Sequence, residues 1–83
     1  MKIFTVYIIK SIEGLRYTGM TEDLPKRLHE HNSKSLSTWT KRGNNWKVIY
    51  SESFQIKADA LSREKWFKSG VGREFLKNNV ANY

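Results

Sequence analysis

Residues 6–20 read VYIIKSIEGLRYTGM. Two short apolar runs flank a turn with one glycine, and each run carries one tyrosine. Ile3 to Lys10 is β-branched and aromatic, which predicts a strand. Leu15 to Met20 predicts a second, shorter one, and Ser11-Ile12-Glu13-Gly14 is the turn between them. A three-residue loop, Ile12-Glu13-Gly14, places Gly14 at the left-handed position of a type I turn plus G1 bulge. Ser11 then faces Leu15, Ile9 faces Tyr17, and Tyr7 faces Gly19. Side chains alternate along a strand, so Tyr7, Ile9, Tyr17 and Gly19 share one face. A four-residue loop would put the tyrosines on opposite faces; Gly14 favours the shorter one. The residues alone leave two readings of the phenols: packing aromatics whose hydroxyls find partners, or a pair poised for chemistry.

The rest of the chain supplies what can pack on this hairpin. Thr21 to Ser33 reads as a helix, with Asp23 as N-cap and Pro25 in the first turn, where a missing N–H costs nothing. Leu24, Leu28 and His31 form one stripe at i, i+4, i+7, with Arg27 one turn before His31 at its edge. Ser33 to Asn45, SKSLSTWTKRGNN, has no period and reads as a long loop, the kind that often carries function. Trp46 to Phe54 alternates as a third strand. Lys57 to Ser69 reads as a second helix stopped at Gly70, and Gly72 to Val80 as a short third one. The expected architecture is α/β (α+β): a three-stranded antiparallel sheet flanked by helices.

Composition bounds the function. The chain has 83 residues, enough for one domain spanning residues 1–83. It has no cysteine, so neither a disulfide framework nor a thiolate metal site is available. The longest apolar run, Val6 to Ile9, is too short to span a bilayer. A soluble, cytoplasmic protein is expected. The formal net charge is +7, the electrostatic footprint of a polyanion binder. Aromatic and hydroxyl side chains interleaved with the basic ones favour nucleic acid over a membrane surface. Lys26, Lys34, Lys41 and Arg42 read as phosphate contacts, and Trp39 either covers a small cluster or offers a base-stacking platform. In the second helix Glu64 lies within the apolar arc of Ala60, Leu61 and Phe67. A partly desolvated carboxylate is normally paired or metal-bound; Lys57, Lys68 and Arg27 are the available partners.

Taken in order, TVYIIKS, RYTG, TEDLPKRLHEHNS, a basic KRG loop, WKVIYSESF and KADALSREKWFKS resemble the GIY-YIG nuclease domain. They resemble above all its small stand-alone members, which are similar to the N-terminal nuclease module of the excinuclease C subunit. The resemblance runs from Ile3 to about Leu76. Thr5-Val6-Tyr7 stands for Gly-Ile-Tyr and Tyr17-Thr18-Gly19 for Tyr-Ile-Gly. Arg27 matches the helix arginine, and His31 a position filled by tyrosine or histidine. Glu64 matches the single carboxylate that binds a divalent metal. Thr5 replaces the family glycine, and Met20 stands where some members have lysine.

The resemblance implies a metal-dependent DNA endonuclease of repair or recombination, with Tyr7, Tyr17, Arg27, His31 and Glu64 catalytic. One Mg²⁺ or Mn²⁺ on Glu64 is implied, as a lone carboxylate with several waters suits Mg²⁺. The implied substrate is double-stranded, branched or nicked DNA; a homodimer or protein partner would add selectivity. The guanidinium of Arg27 can clamp a phosphate oxygen. Tyr17 or His31 would take the water proton, directly or by relay, while Tyr7 orients. A nucleic-acid-binding module without turnover is the rival reading, and an RNA substrate is a third.

Overall fold

The protein is described by a computed structural model over residues 2–34 and 39–83. Part of the loop expected between Ser33 and Asn45 lies outside the described residues. The chain runs β1 (Phe4–Lys10), β2 (Arg16–Thr21), α1 (Leu24–Ser33), a 3-10 turn (Trp39–Arg42), β3 (Lys47–Phe54), α2 (Lys57–Phe67) and α3 (Gly70–Asn79). The sheet is antiparallel with order β2-β1-β3.

β1 is central, which explains its nearly unbroken apolar run: both of its faces are covered. Phe4, Val6 and Ile8 point into a core completed by Ala60, Phe67, Leu76 and Val80, from α2, α3 and the residue after it. Tyr7 and Ile9 point the other way, into a second cluster with Trp46, Leu15, Tyr17, Leu24 and Leu28. The sheet therefore separates an aromatic-aliphatic core from a smaller cluster built around tyrosines.

The hairpin adopts the expected register. Tyr7 pairs with Gly19 and Ile9 with Tyr17, the Ser11 N–H donates to the Leu15 carbonyl at 2.8 Å, and Gly14 has φ +92°. Glu13 ties this turn to the basic loop by accepting from the Asn44 backbone N–H at 3.0 Å and the Asn44 amide at 2.7 Å. Those bonds hold the Glu13 carboxyl down to about 2.

Helix boundaries differ from the sequence reading in instructive ways. α1 begins at Leu24, because Asp23 caps it by accepting from the Lys26 N–H, while Thr21 still belongs to β2. Its C-cap is Lys34 at φ 60°, a left-handed position that no glycine announced. Gly70 does not stop the second helix. α2 ends at Phe67, and Gly70 opens α3 behind the Ser69 N-cap, whose hydroxyl accepts from the Gly72 N–H. Leu61, placed in the apolar arc of α2, is exposed, whereas Ala60 and Phe67 are buried.

Candidate active site

β1 and β2 bring the two phenols together. The Tyr7 and Tyr17 ring centroids lie 6.3 Å apart on the α1 face of the sheet. The stripe of α1 then lays His31 against both rings, at 5.9 Å from Tyr7 and 5.1 Å from Tyr17. Gly19 makes this possible. A Cβ there would sit 2.6 Å from the Tyr7 hydroxyl and 2.9 Å from a Tyr17 ring carbon. The glycine after the second tyrosine is thus a requirement of close packing between the rings.

A chain of hydrogen bonds runs through the imidazole. The Tyr7 hydroxyl lies 2.8 Å from His31 Nε2, and His31 Nδ1 lies 2.7 Å from the Thr40 hydroxyl. Tyr7 and His31 are each 1% exposed, and Thr40 is equally buried. Burial, with the Tyr17 phenol beside it, pushes Tyr7 well above the usual tyrosine value, so it keeps its proton. Burial, with the nearby Arg27 guanidinium, pushes His31 below its ordinary 6.5, so the imidazole is neutral at pH 7. A neutral imidazole has one N–H. With Tyr7 donating to Nε2, that proton sits on Nδ1 and is donated to the Thr40 hydroxyl.

Arg27, on the same helix as His31, lies at the edge of the cluster with its Nε 3.5 Å from a Glu30 carboxylate oxygen. Glu64 comes from α2 and is close enough that its charge also raises Tyr7. Its side chain is 19% exposed, and its Oε2 accepts from the Lys68 ammonium at 2.7 Å. Lys68 was one of three partners open to it from the sequence. Tyr7, Tyr17 and His31 are thus in contact, and the charges of Arg27 and Glu64 both act on Tyr7.

The residues marked for nucleic acid are distributed differently. Lys26, Lys41 and Arg42 are exposed. Lys34 is committed to structure, its ammonium donating to the carbonyls of Lys41 and Gly43 at 3.0 and 2.9 Å. Trp39 is 40% exposed, leaning on the buried Trp46 at 6.3 Å with the Arg42 guanidinium 5.9 Å from its ring. It combines cover and platform. Sequence reasoning missed Thr40. Its signal was weak, a threonine in a polar loop with one other threonine and a tryptophan nearby. The buried Trp46 indole N–H donates to its carbonyl at 3.0 Å, which anchors this threonine beneath His31.

The GIY-YIG catalytic domain model matches residues 3–78. The chain belongs to the GIY-YIG family. Among its relatives are UPF0213 proteins from Staphylococcus saprophyticus, 35% identical over 87% of this chain and 88% of the relative, and from Lactococcus lactis subsp. cremoris, 36% identical over 96% and 86%. The NMR structure of a UPF0213 protein from Bacillus halodurans shares the fold, with TM-score 0.56 and 27% identity over 92% of this chain and 83% of that one. This GIY-YIG chain is thus similar to small stand-alone members, and family membership carries nuclease potential.

The donor set bears on the metal question. Among the described residues no three His, Asp or Glu side chains converge. Zinc, which takes three or four protein ligands, does not suit such a site. A hydrated Mg²⁺ or Mn²⁺ held by one carboxylate does, and Glu64 fits that description, with Lys68 on one of its two oxygens. Among the described residues no helix is long and apolar enough to cross a membrane.

Proposed function

We propose that this GIY-YIG protein is a divalent-metal-dependent endonuclease that hydrolyses DNA phosphodiester bonds. The observation that carries the reading is the convergence of two phenols, a neutral imidazole, a guanidinium and one carboxylate on a basic domain. Structural aromatics would explain the rings, but not an arginine and a half-buried carboxylate around them.

Half-exposed Tyr17 and the Arg27 guanidinium are the groups placed to meet a phosphate, with Arg27 clamping a non-bridging oxygen. His31 is sealed from solvent, so it acts by relay. Tyr7 is as deeply buried as His31, so half-exposed Tyr17 meets the attacking water. As Tyr17 takes the water proton and passes its own to the Tyr7 oxygen, the Tyr7 proton moves to His31 Nε2. The resulting imidazolium donates from Nδ1 to Thr40. Tyr7 never becomes a phenolate, which suits a phenol whose environment resists ionisation. Glu64 would hold the Mg²⁺ or Mn²⁺, which when bound supplies Lewis acidity to the phosphate and the leaving oxygen.

A domain this small spans a short stretch of duplex. We therefore assign it nicked or branched DNA, in repair or recombination, or a partner or second copy that extends the contact. Supercoiled-plasmid nicking with Mg²⁺ or Mn²⁺ tests the reading. Wild type is expected to nick and Glu64→Ala to lose activity while retaining DNA binding. Full activity in that variant overturns the metal assignment, and inactive wild type that still binds DNA leaves a binding module.

A further inference from the structure

Lys68 closes the end of α2 and reaches back one turn to Glu64, Nζ to Oε2 at 2.7 Å. Such i, i+4 pairs are common on helix surfaces. Two observations set this one apart. The Glu64 side chain is 19% exposed and that of Lys68 53%, so the ammonium sits on the solvent side of a half-buried carboxylate. Lys68 also lines a cleft of about 420 Å³ beside the hairpin, together with Arg16, Tyr17, Arg73 and Tyr83.

The charged side chains lining that cleft, Arg16, Lys68 and Arg73, are all basic. The groove beside Arg27, by contrast, sets Lys26, Arg27 and Lys57 against Glu22, Asp23 and Glu30. Basic side chains along a concave surface concentrate the field and draw anions. Arg16 is fixed at its rim, 4.2 Å over the Tyr83 ring and donating to the Tyr83 main-chain oxygen at 2.7 Å. Tyr17 forms part of the same wall, so an anion held here lies beside the phenol pair.

We infer that Lys68 is a substrate-displaced guard on Glu64. In the free protein its ammonium holds the carboxylate. A backbone phosphate of the nucleic acid, seated in the cleft between Arg16 and Arg73, draws the ammonium away and leaves Glu64 open to a divalent cation. The inference rests on the reading of Glu64 as the metal-holding carboxylate and adds the regulation of that site. Lys68 is a positioning residue: it acts through Glu64, and it competes with the cation for one group.

Calorimetric titration of Mn²⁺ into the protein without nucleic acid compares wild type, Lys68→Ala and Glu64→Gln. Lys68→Ala is expected to bind Mn²⁺ about two- to fivefold more tightly, the size of one partly exposed ion pair, and Glu64→Gln to lose binding. Lys68→Met, which keeps the apolar stem, should repeat the gain if alanine lowers stability. In EDTA, a labelled duplex should show Lys68→Ala and Arg73→Ala each lowering the slope of log affinity against log salt by about one. If Glu64→Gln loses Mn²⁺ but Lys68→Ala matches wild type, or if the salt slopes stay unchanged, the guard is overturned and Glu64 keeps its role. Unchanged Mn²⁺ binding in Glu64→Gln overturns both.

Discussion

Gly19 shows how a single hydrogen in place of a methyl shapes the site. With Tyr7 atoms 2.6 and 2.8 Å from its virtual Cβ and a Tyr17 atom at 2.9 Å, Gly19→Ala must push the rings apart. Overpacking of this kind costs about 1–3 kcal/mol. Urea unfolding should register that loss, and plasmid nicking should fall further than stability alone accounts for, because the phenol pair itself moves. His31 sets the pH response. Burial holds it below its ordinary 6.5, so the unfolded chain takes up a proton near pH 6.5 that the native chain refuses. More protons on the unfolded state means stability rises with pH. The contribution is therefore complete above pH 6.5 and is lost as pH falls from there towards the native value. Unfolding midpoints across that window should decline in wild type and flatten in His31→Gln. A decline of equal size in both would assign the effect to other groups.

α1 is the element on which the site depends most. It carries Arg27 at the rim and His31 in the interior, one turn apart, and its start is fixed by Asp23, whose carboxylate accepts from the Lys26 N–H at 3.2 Å. Thr21 braces that cap, its hydroxyl accepting from the Asp23 N–H at 3.1 Å. Asp23→Ala should cost about 1 kcal/mol, the usual worth of an N-cap. Because frayed first turns loosen the guanidinium before the imidazole, phosphate-dependent steps should weaken first. The check is a rise in the substrate concentration needed for half-maximal nicking, with the Tyr7–His31 contact retained by NMR. The 3-10 turn plays the matching part from below, since Thr40 supports the far nitrogen of His31.

At the scale of the molecule, charge decides the encounter. A net charge of +7 draws a polyanion to every face, but the exposed basic side chains near the site are few. Lys26, Lys41 and Arg42 flank α1 and the loop, while Arg16, Lys68 and Arg73 line the cleft beyond β2. Six phosphate contacts would release enough counterions for a salt slope of about −5 on duplex DNA. Fluorescence anisotropy over a range of salt measures it directly. A slope near zero would remove nucleic acid as the partner.

The hairpin register was legible in the sequence because one glycine at a turn restricts loop length, and a strand's period of two then dictates which tyrosines share a face. His31 followed from its place in the stripe of α1, whereas the central position of β1, which accounts for its apolar run, came only with the sheet order. What lay beyond the sequence was everything made by contacts distant along the chain. Thr40 became a partner of His31 only once the loop folded beneath α1. Lys34 took a left-handed cap without a glycine to announce it, and its ammonium found two carbonyls across that loop. Glu64 chose Lys68 among three possible partners because packing of α2 left one side of the carboxylate open. Local periodicity reports which face a residue occupies; only the packed fold determines which groups meet there, how dry they become, and hence which of them hold their protons.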